Sequence, residues 1–288
     1  MKLYQPSTIK ELRNKYGFRF TKSLGQNFLT DKNIIDNIIE GSGVRSDDLV
    51  IEIGPGIGVI TREAAEIAKK VIAIEIDSDL IPILHDTLGD LDNVEVVNED
   101  VLKTDLKALI EKETFEGNVR VIGNLPYYIT TPIIMKLLED APGLDSITVM
   151  MQKEVADRLK ASPGSKDCGA ISLMVQYYSE IEEIVRVPKT VFVPQPKVDS
   201  TVLRLDVRKT PAVQVTDPGF MFKVIKAGFG QRRKTLSNAL SVLEGYSKED
   251  IKNALTRAEI DPSRRGETLD LKEYARLSEE LRKIKTEG

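Results

Sequence analysis

The 288-residue chain has no tryptophan, one cysteine and one histidine. A lone cysteine, Cys168, excludes a disulfide framework and a cysteine-rich zinc cluster, and no bound metal is expected. Cys168 precedes Gly169 and reads as a packing residue, not a nucleophile. His85 follows Leu84 in a helical stretch, has no evident catalytic partner, and reads as a surface or packing residue. No apolar run approaches the roughly 20 residues of a membrane span, so no membrane partner is expected. Met1-Lys2-Leu3-Tyr4-Gln5-Pro6 lacks the apolar centre of a secretory signal, and the expected compartment is the cytoplasm.

Hydrophobic residues make up 41% of the chain and charged residues 30%, which fits one large globular domain and a smaller one. The net charge is -4, yet the charges are segregated. Residues 1–24 hold Lys2, Lys10, Arg13, Lys15, Arg19 and Lys22 against Glu11. Residues 219–239 hold Lys223, Lys226, Arg232, Arg233 and Lys234 and no acid. Residues 75–116 hold 13 acids against Lys103, Lys107 and Lys112. Such segregation can build a basic face for nucleic acid on an acidic protein, or it can mark solvated helix faces.

Chemistry concentrates at the ends of apolar runs. Leu49–Ile53 reads as a buried strand that ends in Gly54-Pro55-Gly56-Ile57-Gly58. A helical pattern with Ile60, Ala64, Ala65, Ile67 and Ala68 on one face follows, then a second strand, Val71–Ile74, closed by Glu75. Glycines permit positive φ and close approach to a ligand. An acid at the second strand end can take both hydroxyls of a ribose. The third glycine comes one residue too early for a dinucleotide fingerprint, which needs G-x-G-x-x-G. The pattern suits a ribose ligand without pyrophosphate, namely S-adenosyl-L-methionine. Asn93–Val97 is a third strand, after which Asp100 could accept from an adenine amino group or cap the next segment. A fourth, Asn118–Ile122, runs into Gly123-Asn124-Leu125-Pro126-Tyr127. Asn124 offers an amide oxygen, Pro126 a carbonyl without an N–H, and Tyr127 a flat face. Together they suit an adenine whose amino hydrogens go to the Asn124 oxygen and the Pro126 carbonyl. In doubly wound sheets ligands sit beyond the carboxyl ends of the strands, where Gly54, Glu75, Asp100 and Asn124 all fall.

With these motifs the chain closely resembles the bacterial small-subunit ribosomal RNA adenine dimethyltransferases. The likeness runs from Lys22-Ser23-Leu24-Gly25-Gln26-Asn27-Phe28-Leu29 through Gln152-Lys153-Glu154-Val155 and Phe192-Val193-Pro194-Gln195-Pro196-Lys197-Val198-Asp199-Ser200 to Phe229-Gly230-Gln231-Arg232-Arg233-Lys234-Thr235-Leu236. It implies an α/β fold, a Rossmann-like class I S-adenosylmethionine-dependent methyltransferase sheet with a small all-helical C-terminal domain. It implies that Asn27, Leu29, Gly54, Glu75, Asp100 and Asn124 hold the cofactor. Tyr127 and Phe192 would hold the target adenine between two rings, which requires a flipped or looped-out base. No role is assigned to Tyr128. Residues 1–208, with a basic segment at 1–30, form the expected catalytic domain, and residues 209–288 the expected RNA-binding domain. There Arg232, Arg233 and Lys234 would contact phosphates. The expected substrate is a pair of adjacent adenines in the 3′-terminal hairpin of 16S rRNA within an assembling small subunit, and the expected enzyme is a monomer. Two alternatives are a large-subunit rRNA adenine methyltransferase of the antibiotic-resistance type and a non-enzymatic assembly factor.

Overall fold

A computed structural model describes residues 2–18, 25–140 and 143–287. Lys22, Ser23, Leu24 and Arg19 of the basic N-terminal segment lie outside the described residues. Cα packing divides the chain into two units. The first comprises Met1–Ala156 and Glu180–Val207, the second Asp157–Ser179 and Arg208–Gly288.

The strands are β1 (Phe28–Leu29), β2 (Leu49–Ile53), β3 (Lys70–Glu75), β4 (Val94–Asn98), β5 (Val119–Asn124), β6 (Leu144–Gln152), β7 (Ser179–Val187), β8 (Phe192–Val193) and β9 (Ser200–Val207). Seven build one sheet in the order β4-β3-β2-β5-β6-β9-β7. The pairings from β4 through β6 are parallel, and β9 runs antiparallel to β6. The order reverses between β2 and β5, the point at which an open α/β sheet forms a ligand crevice. β2 is buried at every position, as its apolar run requires, although Glu52 interrupts that run.

The crevice is shaped by close approaches that need glycine. Gly58 caps the helix Val59–Ala65 at φ 86, and a Cβ there would lie 2.9 Å from Leu88. Gly56 has φ +63, and its Cβ would lie 2.8 Å from the Phe28 ring. Phe28 belongs to β1, which pairs antiparallel with β8 through Phe28↔Val193 and Leu29↔Phe192. The small two-stranded sheet thereby pins the N-terminal segment over the glycine loop.

At the opposite end of β5, Arg120 and the fully buried Asp48 form an ion pair at 2.5 Å. Asp48 also accepts from the backbone N–H groups of Asn118 and Arg45. Arg120 donates further to the Ser42 carbonyl and the Ser146 hydroxyl. The pair fastens the loop before β2 to β5 and β6.

The second unit is helical after β9. Helices Pro218–Gly230, Lys248–Arg257 and Leu271–Glu287 bury Phe222, Ile225, Ile251, Leu255, Tyr274, Leu277 and Leu281. Two features depart from expectation. A single boundary at 208/209 does not describe the packing, because residues 157–179 belong with the C-terminal helices. The Tyr177 and Phe222 rings meet edge to face at 5.3 Å, and Arg208 N donates to the Tyr178 carbonyl. Arg232, Arg233 and Lys234 occupy a turn after the helix, not a helix face, because Gln231 leaves helical geometry at φ -132, ψ 67.

Burial acts to raise the Asp48 carboxyl, but the Arg120 guanidinium and the two backbone N–H groups outweigh it and hold the group below its ordinary 3.8. Its stabilising contribution is therefore present above about pH 4 and lost as pH falls through the lowered folded value. Asp48→Asn should cost about 3–5 kcal/mol at neutral pH by leaving a buried guanidinium without its counter-charge. Urea unfolding at pH 7 and pH 3 measures both effects, and the difference between the two proteins should shrink at the lower pH.

Candidate active site

The crevice above β2, β3 and β5 encloses about 900 Å³ of non-atom space, its open mouth included. Asn27, Leu29, Gly54, Glu75, Asp100, Asn124 and Pro126 all line it. Four strand ends and the N-terminal segment therefore bring together all six residues expected to hold a cofactor.

Glu75 ends β3 and is 5% exposed. One carboxylate oxygen accepts from Asp77 N at 2.8 Å, the other from Gly56 N at 3.3 Å. Each oxygen keeps a second lone pair for a ligand hydroxyl. Burial raises the carboxyl to about 7, opposed by the N–H groups of Asp77 and Gly56. Glu52, which the sequence reading passed over, is 1% exposed, also lines the crevice, and has one oxygen without a hydrogen-bond partner. Burial and the neighbouring Glu75 raise it to about 8, against the effect of Thr61. The signal for it was an acid inside an otherwise apolar buried strand. Gln26 also lines the crevice and donates to the Asp77 carboxylate at 2.5 Å.

Asp100 caps the segment that follows it. One oxygen accepts from Leu102 N at 3.0 Å and holds the following turn, while the residue also faces the crevice.

Asn124 donates its amide NH2 to the Asn27 carbonyl at 2.9 Å. A carbonyl accepts and cannot donate, so this contact dictates which amide atom faces Asn27. The Asn124 oxygen is left directed elsewhere, as an acceptor. Pro126 does not match its expected role. Its carbonyl already accepts from Ile129 N at 3.1 Å and the Thr130 hydroxyl at 3.0 Å, where the chain turns into the helix Thr130–Asp140. Both lone pairs are committed to that turn. The peptide unit with no N–H is the one between Leu125 and Pro126, and its carbonyl belongs to Leu125.

The two rings expected to hold the base differ from each other. Tyr127 is half-buried and its hydroxyl shares a 2.8 Å hydrogen bond with Ser200. Phe192 is 3% exposed and packs in the core beneath β1. At that exposure it offers no open face. In the helical unit Arg232, Arg233 and Lys234 are exposed. Nη2 of Arg232 donates to the Lys166 and Cys168 carbonyls at 3.0 and 2.7 Å, which fixes the exposed side chain while Nε and Nη1 remain as further donors. His85 is exposed and Cys168 fully buried, with its thiol raised by burial, in keeping with non-catalytic roles.

Among the described residues no group of three or more His, Cys, Asp or Glu could hold a metal, and no helix is long and apolar enough to cross a membrane.

Residues 17–283 match the sequence profile of the family described as "Ribosomal RNA adenine dimethylase". "Ribosomal RNA small subunit methyltransferase A" of Alkaliphilus oremlandii (strain OhILAs) is 53% identical over 283 residues, covering 98% of this chain and 99% of that protein. The crystal structure of a dimethyladenosine transferase from Plasmodium falciparum aligns over 89% of this chain and 98% of its own, with a TM-score of 0.76 and 26% identity. That of the 23S rRNA methyltransferase ErmE aligns over 88% and 99%, with a TM-score of 0.66 and 29% identity. The sheet is accordingly that of the S-adenosylmethionine-dependent methyltransferases, and the chain belongs to the ribosomal RNA adenine dimethylase family.

Proposed function

We propose that the chain transfers methyl groups from S-adenosyl-L-methionine to the N6 amino groups of two adjacent adenines in the 3′-terminal hairpin of 16S rRNA. The observation that carries this reading is the Asn124 amide at the end of β5, oriented by the Asn27 carbonyl, in one crevice with Gly54, Glu75 and Asp100.

The residues present fit that cofactor. Glu75 has two oxygens with lone pairs to spare for ribose hydroxyls, and Asp100 faces the place of the adenine amino group. The unpartnered oxygen of Glu52 suits the cationic amino group of the methionine part. Gly54 would lie against that part, and Asn27 and Leu29 would cover it from the N-terminal segment. When bound, S-adenosylmethionine supplies an activated methyl group on its sulfonium.

The chain's own task is alignment. The Asn124 oxygen and the Leu125 carbonyl accept the two hydrogens of the target amino group, which frees the nitrogen lone pair from the ring and directs it into the crevice. Neither acceptor titrates near neutral pH. Positioning of this kind can contribute about 7–11 kcal/mol in well-aligned systems. Tyr127 gives the base a stacking face whose orientation Ser200 maintains. Phe192 acts one layer below by seating Leu29 through their strand register. In the helical unit Arg233 and Lys234 contact RNA phosphates, and Arg232 shapes the turn that presents them.

Identity of 53% to a small-subunit enzyme, against 29% to a large-subunit one, supports the small-subunit target. A purely structural assembly factor would leave the buried acids Glu52 and Glu75 without a purpose. Small subunits from a strain lacking this gene, incubated with the protein and labelled cofactor, should gain two adjacent dimethyladenosines near the 3′ end of 16S RNA. Mass spectrometry of RNase fragments reads the positions. Label in 23S RNA alone, or none, would overturn the proposal.

A pH dependence follows from Glu75. Ribose hydroxyls favour the carboxylate over the acid, so the Glu75 part of the cofactor affinity should strengthen as pH rises towards about 7 and then level off, with ionisation of Glu52 adding a further rise towards about 8. Below that value the slope should approach about tenfold per pH unit. Titration calorimetry from pH 6 to pH 8 measures it, and Glu75→Gln should bind weakly and remove this part of the slope. An unchanged slope in the variant would assign the titration to another group.

A further inference from the structure

Water-exposed apolar side chains in the described residues include Ile67, Ile76, Tyr128, Val198 and Val242, and Tyr128 is the only aromatic among them. It is 58% exposed. Its position is particular. Tyr128 sits between Tyr127 and Ile129, in the loop that follows Asn124, and both Pro126 and Ile129 line the crevice. The loop is not loose. Gly25, at φ +64, comes within 3.5 Å of Pro126, measured from the place its Cβ would take. The Pro126 carbonyl is doubly bonded to the next helix turn. The Tyr127 hydroxyl is tied to Ser200. An exposed ring is thus held on a firm support immediately beside the place where the target base must enter.

The same hydrogen bond to Ser200 fastens this loop to the first residue of β9, directly after the segment 194–199. That segment exposes Val198 and Lys197 and is braced by Asp199, whose carboxylate accepts from Lys189 N at 3.0 Å. An aromatic face with an exposed aliphatic and a cation on the tied loop is the chemistry that binds an unstacked nucleobase with its phosphate.

We infer that Tyr128 is a specificity-determining residue that stacks on the nucleotide adjacent to the target adenine while the target itself occupies the crevice. The physical reason is a loss that flipping imposes. When one adenine of a pair leaves the stack, its neighbour loses a stacking partner. A preformed ring at the mouth of the crevice replaces that partner, and it makes a purine neighbour better than none. This inference rests on the proposed function, since it supposes a base in the crevice. It adds a residue with a separate task, outside cofactor binding and outside the alignment of the amino group.

Two readouts keep the two readings apart. The first uses RNA hairpins carrying 2-aminopurine in place of the neighbouring adenine and follows its fluorescence as protein is added. Bound to the wild-type protein the probe should be quenched by the ring. Bound to Tyr128→Ala it should brighten, and in Tyr128→Trp the quenching should return. This signal needs no methyl transfer, so a protein inactive on the hairpin would count against the proposed function while still testing Tyr128. The second is kcat/KM for transfer on hairpins with an intact or an abasic neighbour. Stacking on this scale is worth roughly 5- to 150-fold. Wild type should lose that factor at the abasic neighbour. Tyr128→Ala should already have lost it on the intact RNA and lose no more on the abasic one, with cofactor affinity unchanged. Equal probe fluorescence in wild type and Tyr128→Ala would overturn the inference. So would a full abasic penalty retained in the variant, the result expected if Tyr128 instead faces a protein of the ribosomal subunit.

Discussion

One hydrogen bond, from the Asn124 amide to the Asn27 carbonyl, is the contact on which the rest of the site depends. It joins a strand end of the central sheet to a segment nearly a hundred residues earlier. Because a carbonyl can only accept, the contact also settles the direction of the Asn124 oxygen. The segment must then be held where that carbonyl is needed. The pairing of β1 with β8 and the packing of Phe28 on Gly56 do so, and a side chain at position 56 would prevent it. Glycine here serves the amide of Asn124 as much as it serves the ligand.

The second constraint is burial of charge. Glu52 and Glu75 are almost fully buried within one crevice, and burial raises both. Two such acids stabilise little when the crevice holds nothing, for their charged forms are desolvated and repel each other. They become favourable when a ligand brings hydroxyl donors and a cationic amine. The same groups thus make the crevice selective for a polar, positively charged ligand and against an apolar one. At the far end of β5 the opposite solution operates. Asp48 is equally buried but fully partnered, and the pair it makes with Arg120 anchors the sheet that carries the site.

Much of this was legible in the chain itself, for a physical reason. Strands of a parallel sheet are buried on both faces and read as apolar runs, so polar residues at their ends stand out. Gly54, Glu75, Asp100 and Asn124 were found in that way, and all four face one crevice. Failures arose where a residue's partners are set by packing. Pro126 looked like the acceptor, but its carbonyl is consumed three and four residues later by a helix start. Arg232 was read as a phosphate ligand with no sign of the two carbonyls, 64 and 66 residues away, that hold one end of its guanidinium. Phe192 looked like an open ring, but it is buried in the hydrophobic core. Tyr128 was given no role, and its exposure could not be read from the sequence. The segment 157–179 joins the helical unit through contacts that no linear boundary expresses.

In the proposed mechanism the orientation of the Asn124 amide, and not merely an oxygen at that position, aligns the target. Asn124→Asp separates the two. It keeps an acceptor but loses the donor, and sets a carboxylate against the Asn27 carbonyl. Single-turnover methyl transfer on small-subunit RNA, measured beside cofactor and RNA affinity, is the direct test. The transfer rate should fall by at least about 100-fold with RNA affinity nearly unchanged. Near-wild-type transfer by Asn124→Asp would contradict it.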